Sequence, residues 1–585
     1  MNAHQAFERA RRLVSQGSTH EARTVLLRAA AGEPNNPRIA GLLAYVLALL
    51  AEHEKAHYYG TRAVVALPND LDLRRNLAST CMQLGRYDEA VEQYEAACTS
   101  HPDDERAHDG LLAALEASGR RLDAERRARE ALRRFPHSAL IPARLADTLA
   151  STGRVNEAVT ALRDAAAQHP DDHALATDLC SAAPYDQTLT PQQAFEPFRA
   201  YGELVRRMVP SPAPLAPPLL DPSKRLRIGF LSPDLRSHAV STFLEPLLKH
   251  VDRSAFETIA YATGAREDEV TRRLRGLVSE WRSLAGTSPN ALPRAIAQDR
   301  PDVLVDLSGH SAGHALPIFQ LRLAPVQITY LGWPSTTGVP EMDYRITDSV
   351  ADPEGSEQFH SERLIRLDPC ALCYRPHDDA PDVRERALDQ PPTFGSFNAL
   401  AKMNDEVVAL WARILREGPD ARLILKHTAL VHEQGRAIIA RRFADAGVQD
   451  GRLTLLPPTS HAEHLGAYHD VDVALDPFPF NGATTTCDAL WMGVPVVTLP
   501  GATSASRVAS SILRAAGLTE LVATSPDDYA AKASSVLRDR ERLRELRASL
   551  RRRIAQSPIC DAPAFATRFG EAVRRAWTER CARGA

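Results

Sequence analysis

Cysteine is scarce in this sequence, with eight in 585 residues. Only Cys370 and Cys373 stand as a CxxC; Cys81, Cys98, Cys180, Cys487, Cys560 and Cys581 have no close cysteine neighbour. A single CxxC lacks the second pair of a structural zinc site, so no metal is expected, and the chain reads as a reduced, cytoplasmic protein. Charge of one sign is also missing: 70 Lys+Arg stand against 74 Asp+Glu, a net charge of −4. That argues against a nucleic-acid binder, which needs a strongly basic face. The longest apolar run, residues 39–51, falls short of the about 20 residues that span a bilayer. The opening MNAHQAFERARRLVSQG has no apolar core of the secretory kind and reads as amphipathic helix. Neither GxGxxG nor GxxxxGK[ST] occurs, which weakens dinucleotide oxidoreductase and phosphate-loop NTPase readings.

What is present is periodicity. Pro34, Pro68, Pro102, Pro136 and Pro170 recur every 34 residues. So do Ala22, Ala56, Ala90, Ala124 and Ala158, and again Ala29, Ala63, Ala97, Ala131 and Ala165. Gly17, Gly85, Gly119 and Gly153 share a column broken only by Ala51, and Leu43, Leu77, Leu111 and Leu145 form another. Glycine suits the left-handed end of a first helix, alanine lets paired helices approach, and proline stops the second helix. GRYDEAVEQYEAA (residues 85–97) followed by Pro102 resembles the tetratricopeptide repeat, and five repeats cover residues 3–170. Such arrays bind peptides or proteins on a curved surface. The plainer reading is an array that only rigidifies the protein or makes a homodimer.

A helix is expected near residues 191–208, and six prolines in VPSPAPLAPPLLDP (209–222) mark an extended boundary. From Arg225 the pattern alternates. RIGFLS (227–232), FETIAYA (256–262), VLVDLS (303–308), VQITYLG (326–332) and YRIT (344–347) read as buried strands. Helices at 267–284 and 291–298 separate them. After a gap near 375–392 come TFGSFN (393–398), RLILKH (422–427), RLTLLP (452–457), VDVALD (471–476) and PVVTLP (495–500). This predicts an α array followed by α/β, with two doubly wound lobes facing one another and ligands at the carboxyl ends of the strands. The expected divisions are 1–185 for the repeat superhelix and 186–224 for helix and linker. The lobes follow as 225–385 and 386–585, the second with the C-terminal helices.

The richest window is DPFPFNGATTTCDALWMGVPVVTLPG (476–501). Thr484, Thr485 and Thr486 open a helix beside a strand's carboxyl end, so N–H groups, hydroxyls and the positive dipole end point at one spot, an anion site. A simple N-cap would need one threonine. Asp488, in the first turn, suits hydrogen bonds from a ribose.

With repeats, two lobes and NGATTTCDALWMGVPVVTL, the sequence resembles the protein O-linked N-acetylglucosamine transferase family, SPINDLY-type relatives included. GFLSPDLRSH (229–238), RLAPVQITYLGWPSTTGVPEMDY (322–344), FNALAKMND (397–405), HAEHL (461–465) and SRVASSIL (506–513) extend the likeness over essentially the whole chain. The resemblance implies a GT-B fold of two Rossmann-like lobes and an inverting, metal-independent transferase with a nucleotide-sugar donor and a protein acceptor. It also implies roles: Lys402 holds the diphosphate, with Asn398 in the same loop; Thr484, Thr485 and Thr486 contact phosphate; Asp488 binds ribose; His464 lies against the nucleobase. His238 matches the histidine proposed as base or positioner near the acceptor. His310, in LSGHSAGH, sits at a strand end near the expected sugar pocket.

Departures accompany the likeness. Animal members carry a histidine where this chain has Ala483 and a glutamine at Ala399. They line the repeats with recurring asparagines, whereas the positions matching Asn76 are Leu42, Gly110 and Arg144. Asp470-Val471-Asp472 spells the DxD of metal-dependent glycosyltransferases but leads into an apolar strand, and His461, His464 and His469 are not spaced for one helical face. The expected reaction is transfer of N-acetylglucosamine from UDP-N-acetylglucosamine to Ser/Thr. Fucosyl transfer from a GDP-sugar, another sugar or acceptor, and a repeat scaffold with inactive lobes are the alternatives.

Overall fold

The computed structural model describes residues 2–209, 221–387 and 390–584, so most of the expected proline-rich boundary lies outside the described residues. The chain forms two compact units, Met1–Thr152 with His432–Ala437, and Gly153–Val431 with Ile438–Ala585.

The first unit is a run of helix pairs, beginning Ala3–Ser15, Thr19–Gly32, Pro37–Leu49 and His53–Ala66. The repeat columns have physical counterparts. Ala22, Ala56, Ala90 and Ala124 are fully buried or nearly so, as are Leu43, Leu77 and Leu111. Gly17, Gly85 and Gly119 have φ between 71° and 81°, and Ala51, the break in that column, holds the same left-handed turn at φ 58°. One further column escaped the sequence reading. Asn36, Asp70, Asp104, Ser138 and Asp172 each accept a backbone N–H in the first turn of the helix that opens a repeat. Each such cap contributes about 1 kcal/mol.

The second unit begins with helices Val155–Gln168, His173–Ala182 and Pro191–Met208, the last as expected. Seven strands follow: β1 Leu226–Ser232, β2 Phe256–Ala262, β3 Glu280–Ser283, β4 Val303–Asp306, β5 Val326–Thr329, β6 Tyr344–Thr347 and β7 Arg363–Arg366. They form one parallel sheet in the order β3-β2-β1-β4-β5-β6-β7. Helix Ala239–His250 packs on one face, with Leu244 and Leu247 against Ile228 and Val305. Phe198, Tyr201 and Val205 of Pro191–Met208 cover the other, against Leu231, Ile259 and Leu304. The second sheet has β8 Thr393–Ser396, β9 Arg422–Lys426, β10 Leu453–Leu456, β11 Val473–Leu475 and β12 Val496–Val497, ordered β10-β9-β8-β11-β12. Both reverse direction beside their first strand, as doubly wound sheets do.

Three expectations need correction. The single helix expected over 267–284 is a helix, Glu269–Leu277, and then the edge strand β3, because Val278 turns to extended backbone and Trp281 pairs beside β2. The second edge strand, β7, was not foreseen. The final helix, Ala562–Gly584, was assigned with the second lobe. Phe565, Phe569, Val573 and Trp577, spaced four residues apart, instead bury one face in the core of the first.

Ala51 carries a backbone that penalises a Cβ by about 1–2 kcal/mol, against about 0.5–1 kcal/mol of extra chain entropy for glycine. Ala51→Gly is therefore expected to stabilise the first unit by about 0.5–1 kcal/mol. Urea unfolding followed by circular dichroism checks this; a loss of stability would mean that neighbouring contacts, not φ, govern the turn.

Candidate functional site

The site grows from the carboxyl edge of the second sheet. Chain leaving β11 passes Asp476 and a Pro/Phe/Asn/Gly turn, then enters helix Thr484–Trp491. Ala483 supplies no side-chain cap, so the first-turn N–H groups remain for a ligand. Gly482 permits the turn: a Cβ there would stand 2.2 Å from Thr485 Oγ1 and 3.0 Å from Asn398 Oδ1.

Lys402 arrives from the loop after β8. Its Nζ donates to the Asn481 carbonyl at 2.8 Å and to Asn398 Oδ1 at 3.4 Å, and lies 4.6 Å from the Phe480 ring centre. Thr485 Oγ1 donates to the same Asn398 oxygen at 3.1 Å. Beneath them Asp476 is buried and accepts from Gly482 N–H and Thr498 Oγ1, both at 2.7 Å. Burial pulls the Lys402 pKa below its ordinary value, opposed by the Asp476 carboxylate. Burial pushes Asp476 up, opposed by Thr498, Gly482 and Lys402.

Two cavities meet here. One, about 330 Å³, is bounded by Trp333, Asp348, Asn398, Lys402, Phe480 and Asn481. The other, about 490 Å³, is bounded by Glu245, Arg273, Arg375, His377, His461, His464 and Asp488. His238, Ala239, Thr484 and Thr485 form walls of both. His238 caps helix Ala239–His250, its Nδ1 accepting from Val240 N–H at 3.3 Å, with Asp234 Oδ2 at 3.8 Å. Burial lowers its pKa, against a raising pull from Asp234. His464 packs edge-on to Phe397, and burial and Lys426 lower it to about 4, so the ring is neutral at pH 7. Asp488 is buried; its Oδ1 accepts from Tyr374 OH at 2.7 Å.

The structure thus brings His238, Asn398, Lys402, His464, Thr484, Thr485 and Asp488 to one pair of cavities. It does not bring Thr486 and His310 there. Thr486 Oγ1 donates back to the Gly482 carbonyl at 2.9 Å, a helix-internal bond open to any threonine. His310 is buried beneath Phe198 and Tyr201, its Nε2 2.8 Å from the Thr337 carbonyl. Asp472 of the DxD is consumed structurally: it is paired with Arg386 and accepts from Thr393 N–H at 2.8 Å. Sequence reasoning missed Tyr374, Asp476, Phe480 and Asn481. The last three stood inside the window already singled out, whereas nothing local marked Tyr374.

A family model described as glycosyl transferase family 41 matches residues 212–374 and 384–569, more than half of the sequence. The chain belongs to that family. Tetratricopeptide-repeat models match 7–70, 71–115 and 115–182. The family 41 chain is 39% identical over 370 residues to the probable UDP-N-acetylglucosamine–peptide N-acetylglucosaminyltransferase SPINDLY of Arabidopsis thaliana, covering 62% of this chain and 40% of that protein. It is 30% identical over 371 residues to the protein named SEC from the same plant, covering 61% and 38%. The chain therefore spans well under half the length of these curated relatives. Among solved structures, a mutant of the Thermobaculum terrenum O-GlcNAc transferase aligns with a TM-score of 0.80 and 33% identity, covering 94% of this chain and 99% of that one. The fold is a tetratricopeptide array followed by GT-B. Among the described residues no helix is long and apolar enough to cross a membrane.

Burial raises the Asp488 carboxyl to about 7, opposed by its hydrogen bond from Tyr374. Between the unfolded value, about 3.9, and about 7 the unfolded chain holds fewer protons here than the folded one, so rising pH costs stability. Asp488→Asn is expected to gain stability relative to the parent as pH rises through that window and to run parallel above it. Denaturation midpoints of both proteins from pH 4 to 8 check this; a constant difference across that range refutes the shift.

Proposed function

We propose that this family 41 chain is an inverting, metal-independent protein glycosyltransferase. It moves N-acetylglucosamine from UDP-N-acetylglucosamine to Ser or Thr of proteins held by the repeats. The observation that carries this reading is the convergence of Lys402, Asn398 and the uncapped turn at Thr484–Thr485 on a cavity closed by His238 from the other lobe. Positive charge and free N–H groups converge where a diphosphate would leave.

The acceptor hydroxyl oxygen attacks the anomeric carbon as the bond from that carbon to the β-phosphate oxygen breaks on the opposite face, inverting the centre. Negative charge gathers on the departing diphosphate, where the Lys402 ammonium and the helix N-terminus stabilise it without reorganising. Bound diphosphate in turn restores the ammonium that burial disfavours. The larger cavity takes the nucleoside, with neutral His464 against the base and Asp488 at the ribose. His238 acts as a positioner: with Nδ1 accepting from Val240, the neutral ring keeps its proton on Nε2 and offers the cavities a donor. The acceptor's proton then passes to a donor phosphate oxygen.

In the array, a concavity of about 1200 Å³ lined by Phe7, Arg11, Asn35, Arg38, Tyr45 and Asn76 is the proposed acceptor surface. Its mixture of rings, amides and charges of both signs, with Glu33, Asp70 and Asp72 beside the arginines, replaces an asparagine ladder.

UDP at about 100 times its dissociation constant should stabilise the fold by about 2.7 kcal/mol, and GDP much less. The reverse order would select the GDP-fucose reading, and no shift with either would leave a scaffold. Lys402→Ala should abolish sugar transfer to co-expressed proteins, read by mass spectrometry, while leaving the melting temperature within a few degrees. If His238 positions rather than accepts the proton, kcat/KM of the parent enzyme should show no acidic limb assignable to a histidine. A limb lost in His238→Gln would restore the base.

A further inference from the structure

The repeat array has one leucine column with a single exception. Leu13, Leu47, Leu115 and Leu149 occupy it, and the third repeat has Cys81. Cys81 is fully buried on helix Leu71–Gln83. Its neighbours from the flanking helices are His57, on His53–Ala66, and Glu89, on Tyr87–Ser100. His57 Nε2 and Glu89 Oε1 are 2.7 Å apart, and the thiol sulfur, an imidazole nitrogen and a carboxylate oxygen all lie within 4.8 Å of one another. The repeat equivalents of His57 are Arg23, Val91, Glu125 and Val159, so no sister repeat places an imidazole there. The one break in the leucine column thus stands against an imidazole that no sister repeat carries at its position.

We propose that Cys81, His57 and Glu89 form a binding site for a soft or borderline divalent metal ion, of which zinc is the type. Tetrahedral zinc takes sulfur at about 2.3 Å and nitrogen or oxygen at about 2.0–2.2 Å, which sets its ligands about 3.3–3.8 Å apart. To reach that spacing the His57–Glu89 pair opens from its 2.7 Å hydrogen bond by about 0.6 Å, the metal replacing that bond, while the sulfur already lies within 4.8 Å of both. His57 and Glu89 are part-exposed, with side-chain exposures of 17% and 33%, so the metal enters from their side and keeps water in its fourth position. Binding replaces the Cys81 thiol proton with the metal, forming the S–metal bond and releasing one proton to solvent. Without a metal the thiol stays protonated, raised to about 12 by burial and by Glu89. Arg86 is the cation facing the site, its Nη1 3.2 Å from His57 Nδ1. Its Nη2 is already held by Glu54 at 2.8 Å, so the guanidinium has a partner to follow when His57 turns to a metal. Counting Glu54 and Arg86, the loaded site is neutral. The metal would tie together three consecutive helices of the array. This inference is independent of the transferase reading.

The test uses the purified full chain, titrated with Co²⁺ and then Zn²⁺. The expected result is a thiolate-to-cobalt charge-transfer absorption that saturates at one equivalent and is bleached by Zn²⁺. Cys81→Leu, which restores the residue of the sister repeats and so should fold, removes the band, and His57→Gln weakens Co²⁺ binding at least about tenfold. Zn²⁺ raises the melting temperature of the parent and not of Cys81→Leu. No band, or a band undiminished in Cys81→Leu, overturns the proposal. The second group of metal-capable side chains among the described residues, His377, Asp379 and His461, has no sulfur and gives no such band.

Discussion

The second lobe is organised around one half-buried ammonium that lacks a carboxylate in direct contact. Lys402 Nζ rests on a carbonyl, an amide oxygen and the face of Phe480. These neutral partners hold the side chain in place, yet they replace only part of the hydration an ammonium loses on burial. Asp476 sits behind this group and spends its oxygens on Gly482 and Thr498. It fixes the turn that carries the helix N-terminus and biases Lys402 toward its charged form without occupying the cavity. A carboxylate in direct contact would have neutralised the site before any anion arrived. The arrangement therefore favours a ligand whose negative charge grows during reaction, since stronger binding of the later state is what lowers a barrier.

For that charge to matter, the first lobe must present its groups across the cleft in fixed register, and buried polar contacts do this. Ser511 Oγ donates to Asp348 Oδ2 at 2.7 Å, and Ser504 bonds Asp352. Asp352 also accepts from Thr347 Oγ1 at 2.5 Å and lies 3.1 Å from His360 Nε2. Buried carboxylates are costly unless their lone pairs are satisfied. Asp348 and Asp352 are held first by their own lobe, and the serines of the second lobe add the remaining bonds, so the contacts specify geometry more than they add stability.

Much of this was readable beforehand. Strands β2 and β6 and helix Pro191–Met208 matched the expected limits, because continuous apolar runs and a Thr-Pro start are local signals. The edge strands β3 and β7 were not legible, since their one-sided pairing leaves the charged, mixed sequences EWRS and RLIR. The final helix was misassigned because its periodicity announces an apolar face but not which core receives it. In the site the same division holds. Helix-start chemistry pointed to Thr484, Thr485 and Thr486 alike; the first two line both cavities, and Thr486 Oγ1 bonds back to the Gly482 carbonyl. His310 lies apart from these cavities for another reason: a strand end has two sides, and only the tertiary packing of Phe198 and Tyr201 decides that this imidazole faces the interior. Tyr374 acts on Asp488 from 114 residues away in sequence, a distance no local pattern spans.

The array shows that breaks in a repeat carry different physics. Ala51 breaks a glycine column and keeps the left-handed backbone, so the fold absorbs a local cost because neighbouring helices over-determine the turn. Cys81 breaks a leucine column and leaves the backbone alone, exchanging apolar volume for a group that bonds metals and hydrogen. The first departure is a strain; the second is an added chemical capability. What separates them is whether groups of matching chemistry stand opposite in space. Ala51 has none, while Cys81 faces His57, the one imidazole in its column, and Glu89, an acid that most repeats carry at that position. A periodic chain supplies its own reference state, and a break in it that meets two further metal-binding groups in space is a stronger sign of a site than a lone cysteine.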